Sequence, residues 1–123
     1  MAKVFSTGPL ENANGVETTT EESWIKVLNN DDNDTTEVRI RVWDLNGTKT
    51  LVGEAVLVVP PNSSDFATFI VLNTAQYEVQ VKIRHEKDDV LISHFGKNVN
   101  DELVADHRVL NSEFTKIDEL TDI

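Results

Sequence analysis

Apolar and polar residues alternate with a period of two through the middle of the chain. In "EVRIRVW", Val38, Ile40 and Val42 fall on one face and Arg39, Arg41 and Trp43 on the other, the pattern of a half-buried strand. "YEVQVKIRH" repeats it, with Tyr77, Val79, Val81 and Ile83 inward and Glu78, Gln80, Lys82 and Arg84 outward, so the two strands share a solvated basic face. Between them, "LVGEAVLVVPP" and "FATFIVL" are rich in β-branched and aromatic residues and are closed by Pro60-Pro61-Asn62-Ser63-Ser64 and by Asn73-Thr74, which is strand followed by turn chemistry. "SWIKVLNN" alternates too, Trp24, Lys26 and Leu28 against Ile25 and Val27, and leaves open which face is buried. "VLISHFGK", "ELVADHRVL" and a short piece near "GVETTT" bring the count to about eight strands. Turn signals at Asn29 to Asp34, Asp44 to Gly47, Pro60 to Asp65 and Glu86 to Asp89 space them closely, with no convincing amphipathic helix between. The expectation is an all-β chain: an antiparallel β-sandwich of jelly-roll type.

The two ends depart from this pattern. "MAKVFSTGPLENANG" has one apolar pair, Val4 and Phe5, followed by Gly8-Pro9 and Asn14-Gly15, a composition that predicts a flexible arm. At the other end Leu110, Phe114, Ile117 and Leu120 follow one another at spacings of four, three and three, which is helical spacing. The division is an arm over 1–14, a sandwich over 15–110 and a tail over 111–123. Phe114 and Ile117 either cover the open end of the sandwich or serve as a handle for a partner. As a handle, the segment from Asn111 onward can be deleted with the fold intact. As core, its loss costs roughly 1.5 to 3 kcal/mol for each large apolar side chain.

Length and composition narrow the chemistry. A chain of 123 residues, 39% hydrophobic and 27% charged, is sized for one globular domain. No apolar run approaches the length of a membrane span, and "MAKVFSTGPL" has no apolar core of signal-peptide length, so synthesis on the cytoplasmic side is expected. A net charge of −11 disfavours nucleic acid and anionic membranes, which require a basic face. With no cysteine there is no disulfide, thiolate nucleophile or zinc-thiolate site. His85, His94 and His107 sit on or beside different strands without metal or general-base spacing. The serines lie in no nucleophile elbow, and there is no glycine-rich phosphate loop. No catalytic, cofactor or metal site is therefore expected, and the chain reads as a non-enzyme. Asp31, Asp32 and Asp34 cluster as oxygen ligands for calcium would, but without the glycine and distant glutamate of an EF-hand, and a solvated acidic turn is the plainer reading. The sequons at Asn33, Asn46 and Asn62 read as turn residues. Trp43, opposite its strand's apolar face and beside Arg39 and Arg41, either packs under a loop or marks a contact surface.

The stretches "VFSTGPLENANG", "TTEVRIRVWDLNG" and "LVVPPNSSDFATFIVLNTAQYEVQV" together resemble the subunits of the endospore appendage fibres (the Ena family) of the Bacillus cereus group. "EFTKID", at Glu113 to Asp118, resembles a short motif of Bacillus exosporium basal-layer proteins, although there it lies near the N-terminus. The resemblance implies a structural protein of the spore surface, appendage or exosporium, made in the mother-cell cytoplasm. It would form a homo-oligomer or fibre, or an anchor bound to other spore-surface proteins. It also implies assembly by strand addition at open β edges and an arm, Ala2 to Asn14, that reaches into the next subunit. Val4, Phe5, Trp43, Phe114 and Ile117 are the expected partner-binding residues. Family arms carry cysteines that lock subunits together, and this chain has none. The alternative is a monomeric β-sandwich that binds carbohydrate or calcium through Trp43 or the Asp31 to Asp34 loop.

Overall fold

Residues 2–14, 17–84 and 88–123 are described by the computed structural model, and among them strands account for nearly all regular structure. In chain order these are β1 (Lys3–Ser6), β2 (Leu10–Glu11), β3 (Ala13–Asn14), β4 (Glu17–Thr18), β5 (Glu22–Asn29), β6 (Thr36–Asp44), β7 (Thr50–Val59), β8 (Ser63–Ile70), β9 (Gln76–Ile83), β10 (Val90–Lys97), β11 (Leu103–Val109) and β12 (Thr115–Ile117). A six-stranded antiparallel sheet runs β12-β1-β9-β6-β7, with β2 joined to the start of β9, and a four-stranded sheet runs β11-β10-β5-β8. Strands β3 and β4 pair as a small hairpin. The architecture is the antiparallel β-sandwich that the alternation predicted.

The inner faces of the sheets form one core. Val38, Ile40 and Val42 of β6 and Tyr77, Val79, Val81 and Ile83 of β9 are buried as the alternation requires. They meet Ile25 and Val27 of β5 and Val90 and Ile92 of β10 in the same cluster. Strand β5 is thereby settled: Ile25 and Val27 face the core, and Trp24, Lys26 and Leu28 face outward. Removing such side chains from water, at about 25 cal/mol per Å² of apolar surface, is the main term holding the two sheets together.

Of the stretch expected to be a flexible arm over 1–14, strands β1 and β2 belong to the six-stranded sheet instead. Strand β1 is paired on both sides, to β9 and to β12. Val4 is buried on the outer side of the sheet, and Phe5 packs against the core, so the apolar pair serves both faces of a doubly covered strand. Farther along, buried Asn12 donates from Nδ2 to the carbonyls of Thr20 and Thr74, both at 3.1 Å, and accepts the Thr20 N–H at 2.7 Å. Tying down backbone groups in this way fixes a segment whose composition alone suggests freedom.

The tail is corrected as well. Its helical spacing yields one 3₁₀ turn, Asn111–Glu113, closed by the Glu113 carboxylate accepting the Leu110 N–H at 2.8 Å. The chain then crosses to the other sheet and becomes β12, where Ile117 pairs with Val4. Phe114 lies in the core and Leu120 is buried. Residues 119–121 continue over the outer face of the six-stranded sheet. There Thr121 covers Gln80, which like Glu78 is buried although expected to be solvated, while Arg84 stays exposed.

Candidate interaction surface

The outer face of the four-stranded sheet carries side chains that the core leaves over. The register aligns Leu28 with Leu91 and Ser64, Lys26 with Ser93 and Phe66, and Trp24 with Phe95 and Thr68. At the sheet's end Glu22 aligns with Lys97 and Ile70, and Lys97 with Leu103 on β11. Among these, Phe66 is 49%, Ile70 59% and Leu103 66% exposed. Two open grooves cross the face: one of about 650 Å³ between Leu28, Phe66, Leu91 and Asn111, and one of about 470 Å³ between Trp24, Phe95, Lys97 and Leu103. A contiguous apolar face of this kind marks a contact surface more often than a solvated one.

Trp24 organises the face. Phe66 stacks on it with ring centroids 5.0 Å apart and planes 22° from parallel, and the Lys97 ammonium sits 4.2 Å from the indole centroid. Phe66 comes from β8 and Lys97 from β10, the two strands that flank β5. Lys26 adds a second ammonium 5.9 Å from both rings. Each such cation–π contact contributes about 0.5–1 kcal/mol at an exposed site. A sugar stacks on a free aromatic face, and here the Phe66 ring covers one face of the indole while the Lys97 ammonium sits over the ring. What the surface still offers is apolar edge and aliphatic side chain, bordered by Lys26, Lys97, Glu22 and Asp101, with Lys97 Nζ 3.6 Å from the Asp101 carboxylate. That combination suits protein docking.

A second constellation, which spacing in the sequence does not reveal, lies between the sheets. Pairing of β10 with β11 brings His94 and His107 together beneath Tyr77. The His107 carbonyl accepts from His94 Nδ1 at 2.7 Å, so His94 Nε2 accepts the Ser23 hydroxyl at 2.7 Å. His107 Nε2 donates to the Glu11 carbonyl at 2.6 Å, and its Nδ1 shares a hydrogen bond with Thr20 Oγ1 at 2.5 Å. The Tyr77 hydroxyl lies 3.5 and 3.4 Å from the two rings. Gly96 makes the space, since a Cβ there would stand 2.6 Å from Thr20 Oγ1. Ser23 against His94 has the geometry of a nucleophile and its base, but Ser23, Tyr77 and His94 expose no surface. Burial, reinforced by the neighbouring His107, also lowers the His94 pKa to about 4 against a backbone hydrogen bond that raises it, leaving a weak base at neutral pH. Burial likewise raises the Tyr77 pKa well above the ordinary phenol value. The cluster ties β2, β5, β9, β10 and β11 together.

The residues singled out for partner binding lie elsewhere. Val4, Trp43 and Phe114 are buried, and Phe5 and Ile117 are half-buried in the six-stranded sheet. Trp43 does point outward, as the alternation predicts, and packs under a loop: its Nε1 donates to Gln80 Oε1 at 2.9 Å, and the same oxygen accepts the Thr121 N–H at 2.9 Å. Satisfied within the chain, these five are not free contact residues. Asp31 is buried and turns its own loop, its Oδ1 accepting the N–H groups of Asn33 and Asp34, each at 2.8 Å. Among the described residues no group of three or more acids or histidines is placed to hold a metal ion, and His85 lies outside the described residues. Trp24 and Phe66, missed as a site, do carry a signal: "SWIKVL" is apolar on both faces, which a strand at a solvated surface is not.

No family model and no curated protein matches the chain. Among solved structures, the chain is similar to the Anabaena sensory rhodopsin transducer, at 16% identity over 75% of this chain and 93% of that one, with a TM-score of 0.48. It is also similar to the Thermotoga maritima protein 1070, at 11% identity over 94% and 90% of the two chains, with a TM-score of 0.44.

Proposed function

We propose that this chain is a non-enzymatic structural subunit that associates with further copies of itself through the outer face of its four-stranded sheet. The observation that carries the reading is the outward-facing stack of half-buried Trp24 and exposed Phe66, set among Leu28, Leu91, Phe95 and Leu103. A second copy suits this face because it bears both charge signs, Lys26 and Lys97 beside Glu22 and Asp101. Two copies related by a twofold axis then bring cation to anion while their apolar rows meet. The cations also locally relieve the repulsion expected between chains of net charge −11. The resemblance to endospore appendage subunits supplies the setting, a fibre or anchor at the spore surface. Strand addition by the N-terminal segment has less support, since β1 already has a partner on each side.

Sedimentation and negative-stain electron microscopy of the purified chain across a concentration series test the proposal. Discrete oligomers or fibres, lost when Trp24→Ser and Phe66→Ser are introduced together, are the expected result. A chain that stays monomeric at the highest concentration, or assembles equally well with both substitutions, removes it.

A further inference from the structure

The segment after the 3₁₀ turn is held as a ligand would be. Residues Thr115–Ile117 pair only with β1, and beyond them three side chains read every polar group of Thr121. Gln80 accepts its N–H at 2.9 Å and donates to its hydroxyl at 2.9 Å, Lys49 donates to the same hydroxyl at 3.0 Å, and Arg41 donates to its carbonyl at 2.6 Å. Lys82 pairs with Glu119 at 2.9 Å. Lys49 in turn lies 2.8 Å from Glu78, whose carboxyl is pushed up by burial but held below its ordinary pKa overall by Lys49, Ser6 and Gln80. Arg41, Lys49 and Gln80 thus form a cradle for one threonine.

We infer that residues 115–121 form an exchangeable strap, and that the strap of a second copy can fill the same place on β1 and in the Arg41–Lys49–Gln80 cradle. This rests on the proposal that copies associate. The departure of β12 leaves β1 paired to β9 from Lys3 to Ser6, so the sandwich is not unravelled. Arg41 and Gln80 read main-chain groups, and any copy's strap satisfies those equally. Charge favours the contact modestly at a distance: the strap region carries Asp118, Glu119 and Asp122 against Lys116, and the receiving face carries Arg39, Arg41, Lys49 and Lys82 against Glu54 and Glu78. Seven extended residues reach at most about 25 Å, so exchange is confined to copies already in contact. A chain's own strap competes at an effective concentration on the order of millimolar, which makes exchange a property of the assembled state. A one-way exchange is a head-to-tail contact, which propagates into a ring or a filament.

The absence of cysteine makes the test direct. Val4→Cys and Ile117→Cys are placed in separate full-length chains of different isotopic mass, mixed, concentrated and oxidised, and the cross-linked pairs are weighed and sedimented. The expected product is the mixed Val4→Cys to Ile117→Cys pair in about tenfold excess over like-with-like pairs, an enrichment of the kind tethering produces. That excess should fall when Thr121→Val is added to the strap donor. Copies that associate without this excess overturn the exchange and leave the docking face standing. Chains that neither associate nor cross-link overturn both. The double variant oxidising within one chain checks that both cysteines are accessible and aligned.

Discussion

His94 stands on the inner face of β10 in line with Val90, Ile92 and Gly96, where alternation alone predicts an apolar residue. That position is legible in "VLISHFGK". Its partners are not, because Ser23 and the His107 carbonyl come from neighbouring strands whose order no local pattern gives. The cost of this placement depends on pH. His94 is held neutral, with a folded pKa of about 4 against about 6.5 unfolded. Above pH 6.5 neither state binds the proton and the site is neutral in its effect. As the pH falls from 6.5 toward 4, the unfolded chain takes up a proton that the folded one refuses, and stability falls; below 4 the loss levels off. Between pH 6.5 and 5, before the carboxylates titrate, the loss amounts to about 2 kcal/mol. Urea titrations at those two pH values should show it in the wild type and not in His94→Gln, which starts less stable but has the flatter slope. Relief of self-repulsion acts on both proteins alike, so their difference isolates the histidine.

At the level of elements, β6 and β9 were legible because each alternates cleanly and buries a single apolar face. The ends were not, because their signals are shared between structures. Spacings of four, three and three at Leu110, Phe114, Ile117 and Leu120 fit a helix, and they fit equally well a turn that crosses the sandwich, drops Phe114 into the core and runs on as a strand. Val4 and Phe5 look like a loose apolar pair until the strands on both sides of β1 are known. Trp43 faces outward as the alternation predicts, but its cover comes from residues nearly eighty positions later. The element is therefore structural before it is anything else. Phe114→Ala should cost about 3 kcal/mol, the usual range for emptying a buried aromatic site, as measured by chemical denaturation. Deleting 111–123 should cost at least as much, the outcome that the sequence reading attaches to core and not to a handle. Near-zero values for both would return it to the status of a handle.

Across the whole molecule, charge is distributed so that the two outer faces behave differently. On the six-stranded sheet most cations among the described residues are paired: Arg39 and Arg41 with Glu54, Arg84 with Glu37, Lys82 with Glu119, and Lys3 with Asp88. These pairs are largely solvent-exposed and individually worth little; together they keep one broad face near neutrality while the excess acid goes to the turns and the strap. On the four-stranded sheet Lys26 and Lys97 lean over aromatic rings, and the surface between them is apolar. Ionic strength therefore separates the two proposed contacts. Raising salt from about 0.05 to 0.5 M shortens the screening distance several-fold, which weakens repulsion between chains of net charge −11 and leaves burial of Leu28, Phe66 and Leu103 essentially untouched. The few cation–anion contacts at the edge of this face are exposed and worth little, so docking through the four-stranded sheet should strengthen on balance, with the sedimentation midpoint moving to lower protein concentration. Exchange of the strap depends on acidic residues finding a cationic face, so the yield of the mixed cysteine pair per associated copy should fall over the same range. If both rise together, the strap is held by its apolar anchors and the charges of the cradle have no part in selecting it.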